Sequence, residues 1–260
     1  RTALRAGADA IVCGAGLPRD LPALAEEVPE SDAALAPIVS SGRAAGLICK
    51  LWDRHYGRIP DFVVLEGPEA GGHLGFSRQE LDQPPALSAL LRDVLAALSP
   101  FRDKAGRDIP VFVAGGVKNG ADMARYMKEG AAGAQFATRF IATEECDASD
   151  GYKQRLLNAS PGDITLVKSP VGMPGRALRS PLIRRVEDGT QPPPDRCMKC
   201  ITTCDGKNAP YCISRALIAA RNGDWENGLF FCGANAGEIN TLSTVQQQMA
   251  QIMDEWRNAQ

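Results

Sequence analysis

Up to about Asp147, short runs of apolar and often β-branched residues alternate with segments whose apolar residues recur three or four apart. That alternation predicts strand, helix, strand units feeding a parallel sheet buried on both faces. Strands are expected over residues 9–13, 36–40, 61–65, 110–114 and 133–137. Between them, Ser41 can cap a helix with Ala44, Leu47, Ile48 and Leu51 on one face. Pro84-Pro85 opens another carrying Leu87, Leu90, Leu91, Val94, Leu95 and Leu98. Asn119 caps a third, which turns Met123, Tyr126 and Met127 inward and stops at Gly130.

Beyond Asp147 the chain becomes irregular and rich in Pro and Gly, over 169–175 and 191–194, and then crowds its cysteines. It closes on a helix whose stripe of Ile239, Leu242, Val245, Met249, Ile252 and Trp256 should dock on the rest. At 260 residues and 44% hydrophobic, the chain can bury a sizeable core. Its formal net charge is -2, with no run of five like charges, which argues against a nucleic-acid track or an anionic membrane surface. No apolar stretch is long enough to span a bilayer, and residues 1–10 lack a signal-peptide core. The expected partners are small molecules, with a homo-oligomer left open. The first seven residues read as the last turn of a helix capped by Gly7, so a preceding N-terminal region is expected. Of eight cysteines, Cys13, Cys49 and Cys146 are scattered and five fall between positions 197 and 232. Such clustering in an enzyme-sized chain favours metal ligation or thiol chemistry over structural disulfides, in a reducing, cytoplasmic setting.

The segment Glu66-Gly67-Pro68-Glu69-Ala70-Gly71-Gly72-His73-Leu74-Gly75 directly follows the third predicted strand. In parallel α/β folds, loops at the carboxyl ends of strands form the active face. Paired glycines let the backbone approach a flat or phosphorylated ligand, and an imidazole beside them can exchange a proton near neutrality. The bland alternative is a surface turn with an inert histidine. His55, the only other histidine, sits in a polar helix end and reads as structural. A second feature is Ala114-Gly115-Gly116-Val117 before the Asn119 cap, next to Gln135-Phe136-Ala137-Thr138-Arg139 at the following strand end. Backbone N–H groups at a glycine turn and a helix N-terminus suit an anion, so a phosphate-bearing cofactor is expected there.

Together these blocks, with Gly14-Ala15-Gly16-Leu17-Pro18, the 133–145 run and Ser169-Pro170-Val171-Gly172-Met173-Pro174-Gly175-Arg176, resemble the nitronate monooxygenase family. That family, once called 2-nitropropane dioxygenases, includes flavin-dependent enoyl-acyl-carrier-protein reductases. The resemblance implies a (β/α)8 barrel, of which this chain carries about the last five strands in residues 1–180. It also implies FMN at the barrel mouth, with Gly115, Gly116, Gln135, Ala137 and Thr138 around the phosphate end and Glu66, Gly71 and Gly72 beside the flavin. His73 takes the position of the family's catalytic histidine. Ala137 stands where the family has glycine; a required positive φ there would cost about 1 kcal/mol. Five strands cannot close an eight-stranded barrel, so the first portion of the fold is expected from elsewhere.

Residues 181–260 are expected to form a Cys-containing extension and helix packed on the barrel. Cys197, Cys200, Cys204 and Cys212 have a spacing that suits zinc or a [4Fe-4S] cluster, with Cys232 able to replace Cys212. The run resembles that of flavin-barrel enzymes related to 2,4-dienoyl-CoA reductase; thiols without metal are the alternative. The reading is an FMN-dependent oxidoreductase acting on nitronates or nitroalkanes with oxygen. Its rivals are an NAD(P)H-dependent flavin enoyl reductase and an inactive metal- or partner-binding fragment of the fold.

Overall fold

The structure is a computed structural model that describes residues 1–201 and 204–260. Among them are eight strands: β1 (Ala10–Cys13), β2 (Ala34–Val39), β3 (Val63–Glu66), β4 (Gly72–His73), β5 (Val111–Ala114), β6 (Gly133–Ala134), β7 (Ile164–Lys168) and β8 (Pro174–Leu178). The chain divides into two compact units. One comprises Arg1–Pro68, Gln83–Gln135 and Glu255–Gln260, and the other Glu69–Asp82 and Phe136–Asp254. No helix among the described residues is long and apolar enough to cross a membrane.

The first unit is built on a parallel sheet in the order β1-β2-β3-β5-β6. Its central strands are the continuous apolar runs, and Val63, Val64, Leu65, Val111 and Val113 are buried, as burial on both faces demands. The predicted strands all form, with ends displaced by a few residues; the fifth is shortened to Gly133–Ala134. Ser41 does cap the helix Gly42–Tyr56, its hydroxyl accepting the Ala44 N–H at 3.2 Å, and Gly57 ends it at φ 59°. The buried stripe of that helix is rotated by one position from the expected one. Ala45, Ile48, Cys49 and Trp52 are buried, whereas Leu47 is 45% exposed. Two overlapping stripes compete, and the one containing the indole wins because Trp52 removes far more area from water. The Trp52 Nε1–H also finds an acceptor in the Pro18 carbonyl at 3.0 Å. This helix packs against Leu87–Ala105 so closely that a Cβ at Gly42 would stand 2.5 Å from the Asp93 carbonyl oxygen. Asn119 caps Gly120–Lys128 as expected, accepting from Asp122 N at 2.8 Å, but Ala124 and Tyr126 are its buried side chains and the two methionines only border the core.

The second unit contains a sheet that the sequence reading did not foresee. β4, β8 and β7 pair antiparallel in that order, with β7 and β8 joined by a turn through residues 169–173 that has Gly172 at φ 84°. On one flank a cluster of Val167, Ala177, Leu182, Ile183, Tyr211, Ile213, Ala216 and Leu229 forms a core. A second cluster gathers Ala142, Leu156, Leu178, Ala220, Phe230, Cys232 and Ala236. Cys232 is therefore a core side chain, its thiol pushed up to about 12 chiefly by burial, and it is not part of the expected metal set. The closing helix runs Val245–Asn258, so Ile239 and Leu242 precede it. Thr244 and Gln247 exchange hydrogen bonds as a capping box and fix its start. Of the predicted stripe Ile252 is buried, while Leu242, Val245 and Met249 are 46%, 37% and 47% exposed.

Candidate active site

Glu66, Gly115, Gly116 and Gln135 belong to the first unit, and all stand at the carboxyl ends of its parallel strands. Glu66 ends β3 in register with Ala114, the last residue of β5. The chain then turns through Gly115 at φ 65° and Gly116 at φ 123°, conformations that side-chain-bearing residues rarely adopt. Gly67 closes the same corner: its N–H donates to the Ala114 carbonyl at 2.8 Å, and a Cβ there would collide with the Gly115 carbonyl oxygen. Gln135 follows β6 and is exposed, its N–H donating to the Val113 carbonyl at 2.8 Å. The Glu66 carboxyl is largely buried, and desolvation alone pushes it up to about 7, so it holds a proton over much of the neutral range.

The N-terminus of Gly120–Lys128, expected to help bind an anion, already carries carboxylates. Gly120 N–H donates to Glu255 Oε2 at 2.9 Å and Lys118 N–H to Asp122 Oδ2 at 3.0 Å. Negative charge at that position complements the helix dipole, so what the unit offers a phosphate is the Gly115-Gly116 turn itself. That turn, free of side chains and beside a carboxyl that is readily neutral, fits a flat, phosphorylated group such as FMN.

Gly71, Gly72, His73, Ala137 and Thr138 belong to the second unit. His73 lies in the short strand β4, paired with Gly175, and not in a loop. Gly72 precedes it at φ 75° and buried Leu74 follows, leaving the ring half-buried. Its edge meets Phe231, with ring centroids 5.2 Å apart and planes at 70°. Nε2 is 2.7 Å from Ser169 Oγ, and Ser169 is 5% exposed in the β7–β8 turn. Burial lowers the imidazole below its ordinary value, so the neutral, basic ring is favoured. Ser169, but not His73 itself, lines a cavity of about 720 Å3 that also has Leu74, Phe76 and Met173 on its walls and exposed Arg78 and Lys168 among its lining residues.

The segment Cys232-Gly233 ties the other candidates to this strand. A Cβ at Gly71 would stand 2.6 Å from Gly233 N, so its missing side chain makes room for protein backbone. Gly233 N–H in turn donates to Thr138 Oγ1 at 2.9 Å. Ala137 has φ -133°, an ordinary value for alanine, so the feared cost of replacing glycine does not arise. Sequence reading missed Ser169 and Phe231; the first opens the Ser169-Pro170-Val171-Gly172 block, where a hydroxyl before a Pro-Gly turn was the available signal. His55 is exposed at the end of its helix.

Cys197, Cys200, Cys204 and Cys212 line one further cavity. All are free thiols, and Cys204 is pushed up by desolvation and then by the three neighbouring thiols. Among the described residues, no three His, Cys, Asp or Glu side chains are already gathered at metal-binding distances. Thr202 and Thr203 lie outside the described residues.

A parallel sheet with a glycine turn and a buried acid at its strand ends defines the first unit as α/β, and the second unit carries a half-buried histidine paired with a serine. The chain belongs to the nitronate monooxygenase family, a family of oxidoreductases, whose model matches residues 1–255. A (3aS,4S,5R,7aS)-5-hydroxy-7a-methyl-1-oxo-octahydro-1H-indene-4-carboxyl-CoA dehydrogenase of Mycobacterium tuberculosis is 35% identical over 131 residues, covering 50% of this chain and 33% of that protein. A probable nitronate monooxygenase of Staphylococcus saprophyticus is 28% identical over 135 residues, covering 52% of this chain and 36% of that protein. The chain thus aligns with about a third of the length of these curated relatives. Among solved structures, FabK from Thermotoga maritima superposes with a TM-score of 0.73 at 26% identity, covering 98% of this chain and 70% of that one.

Proposed function

We propose that the protein is an FMN-dependent oxidoreductase that oxidises nitroalkanes or their nitronates, with His73 as the base that withdraws the proton from the neutral nitroalkane. The observation that carries this is the His73–Ser169 pair, whose serine lines a cavity. On this reading Ser169 Oγ accepts from Nε2–H, which leaves Nδ1 as the nitrogen that takes the substrate proton. Burial supports the role twice, by keeping the ring neutral and by excluding water from the proton it takes.

FMN, when bound, supplies the electron acceptor for oxidation at the carbon. Gly115 and Gly116 would hold its phosphate end through backbone N–H groups, and Gln135, Ala137 and Thr138 extend the set suggested by family resemblance. Glu66, pushed up to about 7 by burial, would donate a hydrogen bond from its carboxyl in the protonated form, which neutral pH keeps populated. The five parallel strands would then be part of a (β/α)8 barrel. Oxygen uptake with a nitronate by flavin-loaded protein tests the reading; a loaded protein that consumes no oxygen with any nitronate or nitroalkane refutes it.

A second reading, a thioester substrate, is favoured by the size and lining of the cavity. About 720 Å3 exceeds what a small nitroalkane needs, and Arg78 and Lys168 would suit the phosphates of a coenzyme handle beside an apolar acyl-binding wall. The Mycobacterium tuberculosis relative is named for a carboxyl-CoA substrate. On this reading NAD(P)H would be the electron donor for an enoyl reductase, and NADH oxidation dependent on an enoyl thioester separates the two.

A further inference from the structure

The four cysteines of the 197–212 segment take no part in the site above, yet they wall one space. Cys197, Cys200, Cys204 and Cys212 all line a cavity of about 120 Å3. Liquid water occupies about 30 Å3 per molecule, so the space holds several atoms and not one. Ile201, Ala209 and Ile213 complete much of its wall, which makes it a poor home for water. A single zinc ion would draw four sulfurs to about 2.3 Å from one centre and leave no void between them. Among the described residues no three of these thiols are gathered as they would be around one ion, and all four line the cavity.

Hydrogen-bonding groups approach two of the sulfurs. Lys199, at φ 52°, aims its N–H at Cys197 Sγ, 3.4 Å away, and Cys200 Sγ is 3.3 Å from Ser214 Oγ. Hydrogen bonds to sulfur are among the means by which proteins tune iron-sulfur centres. Between Cys204 and Cys212 the chain folds back through a turn in which Asp205 accepts from Lys207 N at 3.0 Å and from Asn208 Nδ2 at 2.6 Å. Cys212 precedes the first turn of the helix Ile213–Arg221, where the helix dipole favours a negative sulfur. Arg196, Lys199 and Arg215 also line the cavity, with Arg215 ion-paired to Asp195 at 2.6 Å.

We propose that Cys197, Cys200, Cys204 and Cys212 ligate one [4Fe-4S] cluster in this cavity. A cluster preformed on four small-molecule thiolates enters by ligand exchange: each cysteine sulfur forms an iron–sulfur bond as one exogenous thiolate–iron bond breaks, and the cysteine proton leaves on the released thiol, with no change of oxidation state.

The whole chain is purified anaerobically, treated with iron and sulfide under a thiol reductant, desalted, and analysed chemically for iron, acid-labile sulfide and zinc. The expected result is about four iron and four sulfide per chain, the content of a cubane held by four cysteine thiolates. Cys200→Ser is expected to lose at least half of that iron, while Cys146→Ser, outside the cavity, keeps it. Circular dichroism establishes that both variants are folded; should Cys200→Ser not fold, Cys197→Ser, exposed like Cys200, replaces it. A protein that retains no iron, that holds a single zinc instead, or whose iron survives in the folded cavity variant overturns the proposal.

Discussion

His73 and Ser169 lie 96 positions apart in sequence and 2.7 Å apart in space, Nε2 to Oγ, because β4 and the β7–β8 turn belong to one small antiparallel sheet. The pairing gives the imidazole a fixed orientation, and the hydrogen bond is stronger to the imidazolium than to the neutral ring. Removing it should therefore lower the histidine further below its ordinary value. Ser169→Ala is expected to cut kcat/KM by up to about tenfold, the worth of one hydrogen bond. It should also move the acid limb of the pH profile to lower pH. A purely structural serine would leave that limb where it was, so the pH profile is the deciding measurement.

His73→Ala should cost far more. A positioned general base contributes roughly 100-fold or more, so kcat/KM for a neutral nitroalkane is expected to fall by at least that factor. A pre-ionised nitronate, with its proton already gone, should lose much less. Comparing both substrates in flavin-loaded protein separates proton removal from damage to the site, which would depress both alike. The wild-type acid limb should lie below pH 6.5, because burial lowers His73 and the base stays deprotonated to lower pH than a solvated histidine.

The first unit was legible because its strands are continuous apolar runs separated by capped helices: Ser41 and Asn119 are read correctly as caps from local chemistry alone. The second was not. Strand β7 is a short run ending in Lys168, β8 begins with a proline, and β4 is two residues long, so none carries a period that can be counted. Their pairing is decided by tertiary contacts with Phe230 and Phe231, which no local pattern announces. The candidate residues were found by motif, whereas Ser169 had to wait for the fold that brings it to His73.

The glycine at 71 tests how much of the Gly-Gly-His block serves packing. Its Cα faces the backbone at Cys232 and Gly233, which cannot rotate away as a side chain would. Gly71→Ala is expected to destabilise the fold by about 1–3 kcal/mol, the usual cost of overpacking. Gly7→Ala is a useful contrast: nothing lies near its Cβ, and only a positive φ of 79° opposes it, worth about 1 kcal/mol. Denaturant midpoints for the two variants give the comparison, and a Gly71 variant as stable as the parent would mean that the 232–233 segment yields at little cost.

Glu66 makes the sharpest prediction because its sign is set by burial alone. An ordinary glutamate titrates near 4.5, but in the folded chain desolvation moves Glu66 to about 7. Between those values the folded state binds more protons than the unfolded one, so stability falls as pH rises. The contribution is fully present below about pH 4.5 and lost once pH has passed through 7. A difference of this size corresponds to a few kcal/mol, on the order of 3. Glu66→Gln, which cannot ionise, should therefore leave flavin-free protein nearly unchanged at about pH 4.5 and stabilise it by up to about that amount at about pH 8. Urea titrations of both proteins at the two pH values measure the difference directly. An equal effect at both would place the carboxyl in water or beside a compensating cation, and would remove the argument that it meets the cofactor as a neutral acid.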